Sequence, residues 1–395
     1  MTNPLSPQRL ASAPALLAIS FLASFGTGMV WNGLAFITRE SYGFGELENL
    51  LLAVFNGAVY VGAAFAAGPL TRAIERRLSP RSLTIALLAV QAACCPLPLF
   101  FESAWPIWPV AGLLSAASAV QWPLVESYLA AGRHGAAMRR TIGWWNVTWM
   151  VAVTLAMVAM GPMLSAGHAE WNLAGLAVLF AIAAAIAFAL PSAPAAHAEA
   201  ESLGHTTPEY PRLLASCRVL LPLSYVLVGA ISPLMPYLLD GLETPLSLQT
   251  PITSLWLVAR VALVIVLWRT HFWHGRWSTL LAAGVLMVGG FGAMVLAESL
   301  WTMGSGLVAF GLGQGIVYYA ALYYAMAVGR AGVDAGGTHE ALIGLGYGVG
   351  PAVAAIGSMA AGGPGIVGAI WIVVAFSVVP AAMPRFRRRM PRAST

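Results

Sequence analysis

Twelve apolar segments, each long enough to cross a lipid bilayer, constrain this chain more than any other feature. A helix needs about 20 predominantly apolar residues to cross about 30 Å of hydrocarbon, and it satisfies its own backbone hydrogen bonds in lipid. The segments lack the strict alternation over about ten residues that marks a membrane-barrel strand. We therefore predict an all-α membrane protein. Its spans lie near residues 13–37, 50–70, 82–101, 105–131, 141–164, 173–190, 213–239, 250–268, 278–296, 300–328, 340–361 and 365–382.

The small supply of charge agrees with lipid as the main solvent. Charged residues make up 9% of the 395 residues, against about 25% in soluble domains. The chain lacks lysine, a GxxxxGK[ST] phosphate loop and the CxxC and HExxH metal patterns, and its three cysteines make no disulfide framework. We expect neither a P-loop pump nor an enzyme, no metal or other cofactor, and no nucleic-acid partner.

The placement of arginine predicts the orientation of the spans. All but two of the 20 basic residues fall in connections or tails on one side of the twelve-span arrangement, and the exceptions are Arg39 and Arg260. The positive-inside rule puts that side, with both termini, in the cytoplasm. Small residues precede the first apolar run instead of following it as in a signal peptide. We expect a retained first span and a multi-pass protein of a bacterial inner membrane.

A break in composition divides the chain into two halves. Residues 191–211 (PSAPAAHAEAESLGHTTPEYP) are small, polar and interrupted by proline, which is typical of a linker. One constant shift lays Arg72 on Arg269 and Arg133 on Arg330, and duplicated halves are typical of transporters. We predict a six-helix bundle over 1–190, a cytoplasmic linker over 191–211, and a second six-helix bundle with a basic tail over 212–395.

Three stretches and the twelve-span layout resemble the major facilitator superfamily. GPLTRAIERRLSPR (68–81) is similar to its glycine and basic cluster after helix 2, without a clear counterpart of its aspartate. ESYLAAGRHGAAMRRTIG (126–143) is similar to its glutamate-then-arginine pattern after helix 4. GLGYGVGPAVAAIG (344–357) resembles an antiporter motif of helix 5 but lies here in span 11. The resemblance implies two pseudo-symmetric six-helix bundles and alternating access, and it identifies no subfamily.

Glu126 is an isolated acidic residue near the end of span 4. The family pattern implies a latch that closes the cytoplasmic end, with Arg72, Arg76 or Arg133 donating to Glu126. The alternatives are a proton carrier and a side chain that snorkels to the helix end.

A second pair of candidate gating residues, His339 and Glu340, opens span 11. An acidic residue there stabilises the helix dipole, and the histidine offers a gate that responds near neutral pH.

Arg260 lies about midway along span 8. A guanidinium at the bilayer centre costs at least about 3 kcal/mol on insertion scales, so it must face a cavity or a partner. It binds an anionic group of a cargo or pairs with a carboxylate; the structural alternatives are capping of backbone carbonyls and a permanent bridge between the halves. Trp256, one turn away on the same face, is placed to stack on an aromatic cargo.

Other polar and aromatic residues inside the spans are candidates to line a cavity. Gln314 and Tyr318 share one face of span 10, with helix packing as an equal alternative. Tryptophans are also common anchors at membrane interfaces. The remaining candidates are Trp31, Asn32, Gln121, Trp122, Trp145, Asn146 and Trp149.

Together these features predict a secondary transporter of a small organic solute. An organic anion or amphipathic molecule is favoured because of Arg260. The alternative is an organic cation, polyamine or drug-efflux transporter, since the tyrosines of span 10 offer cation–π contacts. Alternatives of another functional class are a non-transporting membrane sensor or assembly factor and a lipid flippase on the same scaffold. We expect a monomer whose partners are membrane lipids, the solute and, for coupling, protons in preference to sodium.

Overall fold

The computed structural model describes residues 10–133, 135–195, 208–327 and 333–382, and within these ranges it contains helices and no strand. Short 3₁₀ turns occur at Leu97–Phe100 and Ser232–Leu234. The longer elements are α1 (Ala13–Gly28), a π-helical turn (Met29–Gly33), α2 (Leu34–Tyr42), α3 (Glu46–Ile74), α4 (Pro80–Cys94), α5 (Ile107–Ala130), α6 (Gly135–Ser165), α7 (Trp171–Ala187), α8 (Tyr210–Ile231), α9 (Met235–Gly241), α10 (Leu246–Thr253), α11 (Leu255–Arg269), α12 (Trp277–Val295), α13 (Leu300–Ala327) and α14 (Val333–Ala382).

These helices confirm the prediction of an all-α, multi-pass membrane protein. Nine helical runs in the described ranges are long and apolar enough to cross a membrane, from Ala13–Tyr42 to Glu340–Ser377. The predicted fourth span forms α5, and the predicted sixth forms the shorter apolar helix α7. Most of the predicted linker, and the basic tail, lie outside the described residues.

Helix boundaries follow the local sequence. Ser79 precedes Pro80 and its hydroxyl accepts a hydrogen bond from the Ser82 amide at 3.1 Å, which caps α4. Gly43 ends α2 with φ of 67°, a conformation in which glycine carries no steric penalty. The predicted boundary between the last two spans is a break inside α14, where Gly362 has φ of 57°. Beyond it the chain turns back, and the backbones at Gly357 and Gly365 meet.

The helices pack as a first group, α1–α7, and a second group, α8–α14. In the first group α1 packs on α6 and α7, α3 on α5, and α4 on α7; in the second, α8 packs on α14 and α13, while α13 packs on α11 and α12. Contact between the groups is concentrated where α3 meets α14 and where α6 meets α10 and α11. Helices of both groups therefore border the space between the two groups.

Glycine allows the closest of these contacts. A Cβ added to Gly57 of α3 would lie 2.4 Å from the Gly348 backbone of α14. A Cβ on Gly311 of α13 would lie 2.1 Å from the Trp256 carbonyl oxygen of α11, and Gly315 meets the Arg260 backbone one turn further on. Small residues at these positions let the helix backbones approach in the absence of a hydrophobic driving force.

Candidate functional site

A cavity lies between the two groups of helices. Half of its lining residues are aromatic, which suits a ligand with a flat apolar part. Charged side chains interrupt that wall at Arg260, Glu126 and Glu340. The aromatic lining residues are Trp31, Tyr60, Trp122, Trp145, Trp149, Tyr225, Trp256, Tyr318 and Tyr347.

Arg260 reaches this cavity from the middle of α11 and is only 3% exposed. Its Cζ atom lies 4.7 Å from the centroid of the Trp149 ring and 4.6 Å from that of Tyr318. Its Nε and Nη2 atoms have no hydrogen-bond partner among the described residues. Ring contacts offset only part of the cost of burying a guanidinium, so these donors are available to an anionic ligand.

The backbone around Arg260 packs closely against α13. Gly311 and Gly315 bring α13 against the α11 backbone at Trp256 and Arg260. The Trp256 ring is held edge-on against Phe310, with centroids 5.7 Å apart. The backbone that carries Arg260 is therefore held against α13.

Asn146 holds the two rings that contact Arg260. Its Oδ1 atom accepts hydrogen bonds from the Tyr318 hydroxyl at 3.0 Å and from the Trp149 indole nitrogen at 3.1 Å. Its Nδ2 atom donates to the Ile142 carbonyl at 2.9 Å. Because Trp149 belongs to α6 and Tyr318 to α13, this amide links the two groups of helices behind the cavity wall.

Two carboxylates face the same cavity from opposite groups of helices. Glu126 comes from α5 and Glu340 from α14, and their charges lie within Coulombic range of each other. The Tyr60 hydroxyl of α3 donates a hydrogen bond to Glu340, which is 8% exposed. Neither carboxylate pairs with Arg260 among the described residues, where the one ion pair joins Arg39 and Asp240.

An aromatic pair separates this cavity from a smaller one. The Trp31 and Tyr347 rings, from different groups of helices, have centroids 4.3 Å apart and line both cavities. The smaller cavity lies beside the π-helical turn and is lined by the polar side chains of Asn32, Asn49 and Ser232, among others. Single π turns inside α-helices are frequent at functional sites.

Beyond the smaller cavity, hydrogen bonds join the two groups at the end that carries Arg39. The Arg39 guanidinium donates to Asp240 at 2.7 Å and to the Pro236 carbonyl at 2.6 Å. The Tyr237 hydroxyl donates to the Phe44 carbonyl at 2.7 Å and accepts from Asn49 at 2.6 Å. We call this set of contacts the Arg39 closure.

The structure brings most of the sequence-predicted binding residues together, with three exceptions. Gln121 lies outside the cavity wall, because its Oε1 accepts from Gln91 Nε2 at 2.6 Å inside the first group. Gln314 is fully buried without lining the cavity, and its amide lies close to the Tyr225 hydroxyl. Asn146 supports the wall from behind. The residues that do line it are Trp31, Asn32, Trp122, Trp145, Trp149, Trp256, Arg260 and Tyr318.

The predicted latch is not formed in this structure. Arg72 and Arg76 are exposed on the surface. The Arg133 guanidinium donates to the Tyr128 and Leu129 carbonyls at 2.9 and 3.0 Å and to the Ala11 carbonyl at 2.6 Å. Free carbonyls at the end of α5 are nearer to Arg133 than Glu126, which faces the cavity.

Glu340 does not lie in the first turn of a helix, where the sequence analysis placed it. Helix α14 begins at Val333, so Glu340 lies inside the helix and turns towards Tyr60. The side chain of His339 lies outside the described part of the structure.

Sequence reasoning missed three tyrosines of the wall, Tyr60, Tyr225 and Tyr347. Each lies inside a long apolar run. Tyr347 also interrupts the glycine-rich stretch 344–357. A hydroxyl far from the ends of a membrane span was the signal that would have found them.

The sequence matches no protein-family model and no curated protein sequence, whereas solved structures match it over nearly the whole chain. The nucleoside transporter NupG is 13% identical with a TM-score of 0.67 and covers 93% of this chain and 97% of its own. A bacterial homologue of the human drug peptide transporters PepT1 and PepT2 is 14% identical with a TM-score of 0.67, covering 96% and 99%. The human organic anion transporter MFSD10 (TETRAN) is 15% identical with a TM-score of 0.62, covering 91% and 97%. At these identities the likeness concerns the fold.

Proposed function

We propose that this chain, which has the fold of major facilitator superfamily transporters, is a secondary transporter of a small organic solute that carries an anionic group. The observation that carries this proposal is the buried guanidinium of Arg260 beside a cavity between the two groups of helices, where its Nε and Nη2 have no hydrogen-bond partner among the described residues. A charge buried in a membrane span without a partner is expensive. An anionic ligand that binds in each transport cycle compensates the charge of this guanidinium.

Alternating access is supported by the difference between the two ends of the molecule. The Arg39 closure and the Trp31–Tyr347 pair block the route from the cavity on one side. Towards the arginine-rich connections the cavity is lined by Glu126 and Glu340, which pair with no arginine in the part of the chain that the structure describes. In our proposal twelve spans form two six-helix bundles with both termini in the cytoplasm, and the cavity faces that side in this structure.

An organic cation is the second candidate cargo, and one observation favours it. Glu126 and Glu340 both face the cavity, and aromatic rings beside them offer cation–π contacts.

The same two carboxylates are the candidate proton carriers, because the Tyr60–Glu340 hydrogen bond joins the two groups of helices and changes when Glu340 gains or loses a proton. We place the transporter in a bacterial inner membrane as a monomer.

The test is ligand binding and uptake by the purified full-length protein in proteoliposomes, with aromatic carboxylates and aromatic amines as probes. Arg260→Gln is expected to weaken binding of the carboxylates at least about tenfold, because a charge-assisted hydrogen bond is lost. Arg269→Gln, on the exposed end of the same helix, is the matched control and is expected to bind as the parent does. Carboxylates that bind both variants equally, or amines as the only ligands, overturn the anion assignment.

A further inference from the structure

We infer that the cargo is bipolar: Arg260 binds its anionic group, and Glu126 together with Glu340 binds a positively charged amine on the same molecule. This inference rests on the proposed transport function and specifies the substrate class of the same cavity. It predicts a zwitterion with an aromatic or otherwise flat middle.

The first argument is that opposite charges share the cavity without pairing. Arg260, Glu126 and Glu340 all line it, yet the one ion pair among the described residues is Arg39–Asp240. Arg260 instead contacts two aromatic rings and keeps free donors. Charges of both signs that face one cavity and do not neutralise each other are complementary to a ligand with both charges.

The second argument is the aromatic surface beside the charges. The Tyr225 hydroxyl interacts directly with Arg260 and is within Coulombic range of Glu340. The Tyr225 ring packs against Tyr347 with centroids 5.3 Å apart, and Tyr347 packs against Trp31. This aromatic surface is suited to the apolar middle of a ligand whose ends reach the guanidinium and the carboxylates.

The third argument concerns the groups around the carboxylates. Tyr60 donates to Glu340 and its ring meets Trp31 edge-on, with centroids 5.3 Å apart. An amine at this place gains a carboxylate and the faces of electron-rich rings.

A cargo with one charge suits this cavity less well. A simple anion leaves two carboxylates uncompensated in a poorly solvated space, and a simple cation leaves the guanidinium. A bipolar cargo compensates both ends. Protonation is the other way to neutralise Glu126 and Glu340. Glutamine substitutions distinguish protonation from binding of an amine, because glutamine resembles a protonated glutamate and cannot pair with an amine.

The first experiment compares two matched sets of probes by calorimetry on the purified protein. One set is L-tryptophan, indole-3-propionate and tryptamine; the other is L-phenylalanine, 3-phenylpropionate and phenethylamine. We expect the amino acid of at least one set to bind at least about tenfold more tightly than both singly charged analogues. Glu126→Gln and Glu340→Gln are expected to remove its advantage over the carboxylate, and Arg260→Gln its advantage over the amine. An advantage over the carboxylate that survives both glutamine substitutions overturns the inference.

The second experiment needs no ligand and decides the matter if none of the six probes binds. The three native cysteines, all buried, are replaced, and single cysteines are placed at Ile343 and Leu257, which line the cavity near Glu340 and Arg260. Cationic and anionic methanethiosulfonates of similar size are then compared. We expect the cationic reagent to react faster at Ile343→Cys and the anionic reagent faster at Leu257→Cys. When Glu126→Gln and Glu340→Gln are combined with Ile343→Cys, we expect this cysteine to lose its faster reaction with the cationic reagent.

The outcomes distinguish failure of this inference from failure of the proposed function. Equal charge preference at the two positions overturns the bipolar cargo while leaving a transporter of singly charged solutes. Failure of both cysteines to react shows that no accessible cavity exists, which overturns the proposed transport function as well.

Discussion

Arg39 and Arg260 both lie in helical runs long and apolar enough to cross a membrane, but their surroundings differ. Arg39 donates to Asp240 and to a backbone carbonyl and lies over the Tyr237 ring. Arg260 contacts two rings, and two of its nitrogen atoms lack hydrogen-bond partners among the described residues. The first arginine is satisfied by the protein itself and the second is not. Satisfied polar groups hold a conformation, whereas an unsatisfied buried one indicates a binding site.

Exposure sharpens the contrast. The Arg39 and Asp240 side chains are 23% and 60% exposed, and ion pairs at such positions contribute below about 1 kcal/mol. A contact of that strength closes one end of the cavity at little cost to reopening it. Arg260 is held by the close approach of α11 and α13, which suits a group that must stay in place while a ligand comes and goes.

The largest expected effect comes from disturbing the packing beneath Arg260. In Gly311→Ala the added Cβ meets the Trp256 carbonyl, which forces α11 and α13 apart and costs roughly 1–3 kcal/mol. We expect a lower melting temperature and loss of ligand binding. Gly304→Ala, on the same helix with its nearest neighbour 3.9 Å away, is the control. Equal melting temperatures for the two variants contradict the packing described here.

A smaller effect is expected from the amide behind the cavity wall. Asn146→Ala removes the acceptor of both Tyr318 and Trp149, so the rings beside Arg260 lose their orientation. Loss of a hydrogen bond of about 1 kcal/mol corresponds to a severalfold lower affinity for the cargo in a binding titration. Gln121→Ala is the control, because Gln121 lies away from the cavity. An affinity loss in Gln121→Ala equal to that in Asn146→Ala is incompatible with this site.

The Arg39 closure is expected to respond in conformation more than in affinity. Arg39→Gln weakens the contact with Asp240, so a cysteine at Ser232, in the smaller cavity, becomes more reactive towards an impermeant thiol reagent. Binding at Arg260 is expected to change by less than about threefold, in line with the small free energy of an exposed pair. A large affinity loss with unchanged Ser232→Cys reactivity assigns Arg39 to the binding site instead.

The smallest expected effect concerns a basic group that is neither paired with acid nor inside a span. His274 stacks on Tyr323 with centroids 4.2 Å apart. Burial, with a contribution from nearby His271, lowers the pKa of His274 below its ordinary value. Since the folded state then favours the neutral imidazole, stability is lost as the pH falls through about 6.5. We expect a slightly lower melting temperature at about pH 5.5 than at about pH 7.5, and a weaker dependence in His274→Gln. A stronger pH dependence of the melting temperature in His274→Gln than in the parent protein contradicts a lowered pKa of His274.

The sequence predicted where helices lie better than which way they face. Arg260 could be assigned to a cavity because a lone guanidinium has few alternatives at that depth. Gln121 and Trp122 are neighbours, yet only Trp122 reaches the cavity, because apolar residues surround α5 on all sides and give no preferred face. Glu340 was misjudged because the start of α14 at Val333 depends on residues rich in glycine, where sequence marks helix ends poorly.

The contact between Gly57 and Gly348 has a mechanical consequence. Where α3 crosses α14, backbone meets backbone without an intervening layer of side chains. If the two groups of helices rock against each other as proposed, this close backbone contact is the natural pivot between α3 and α14.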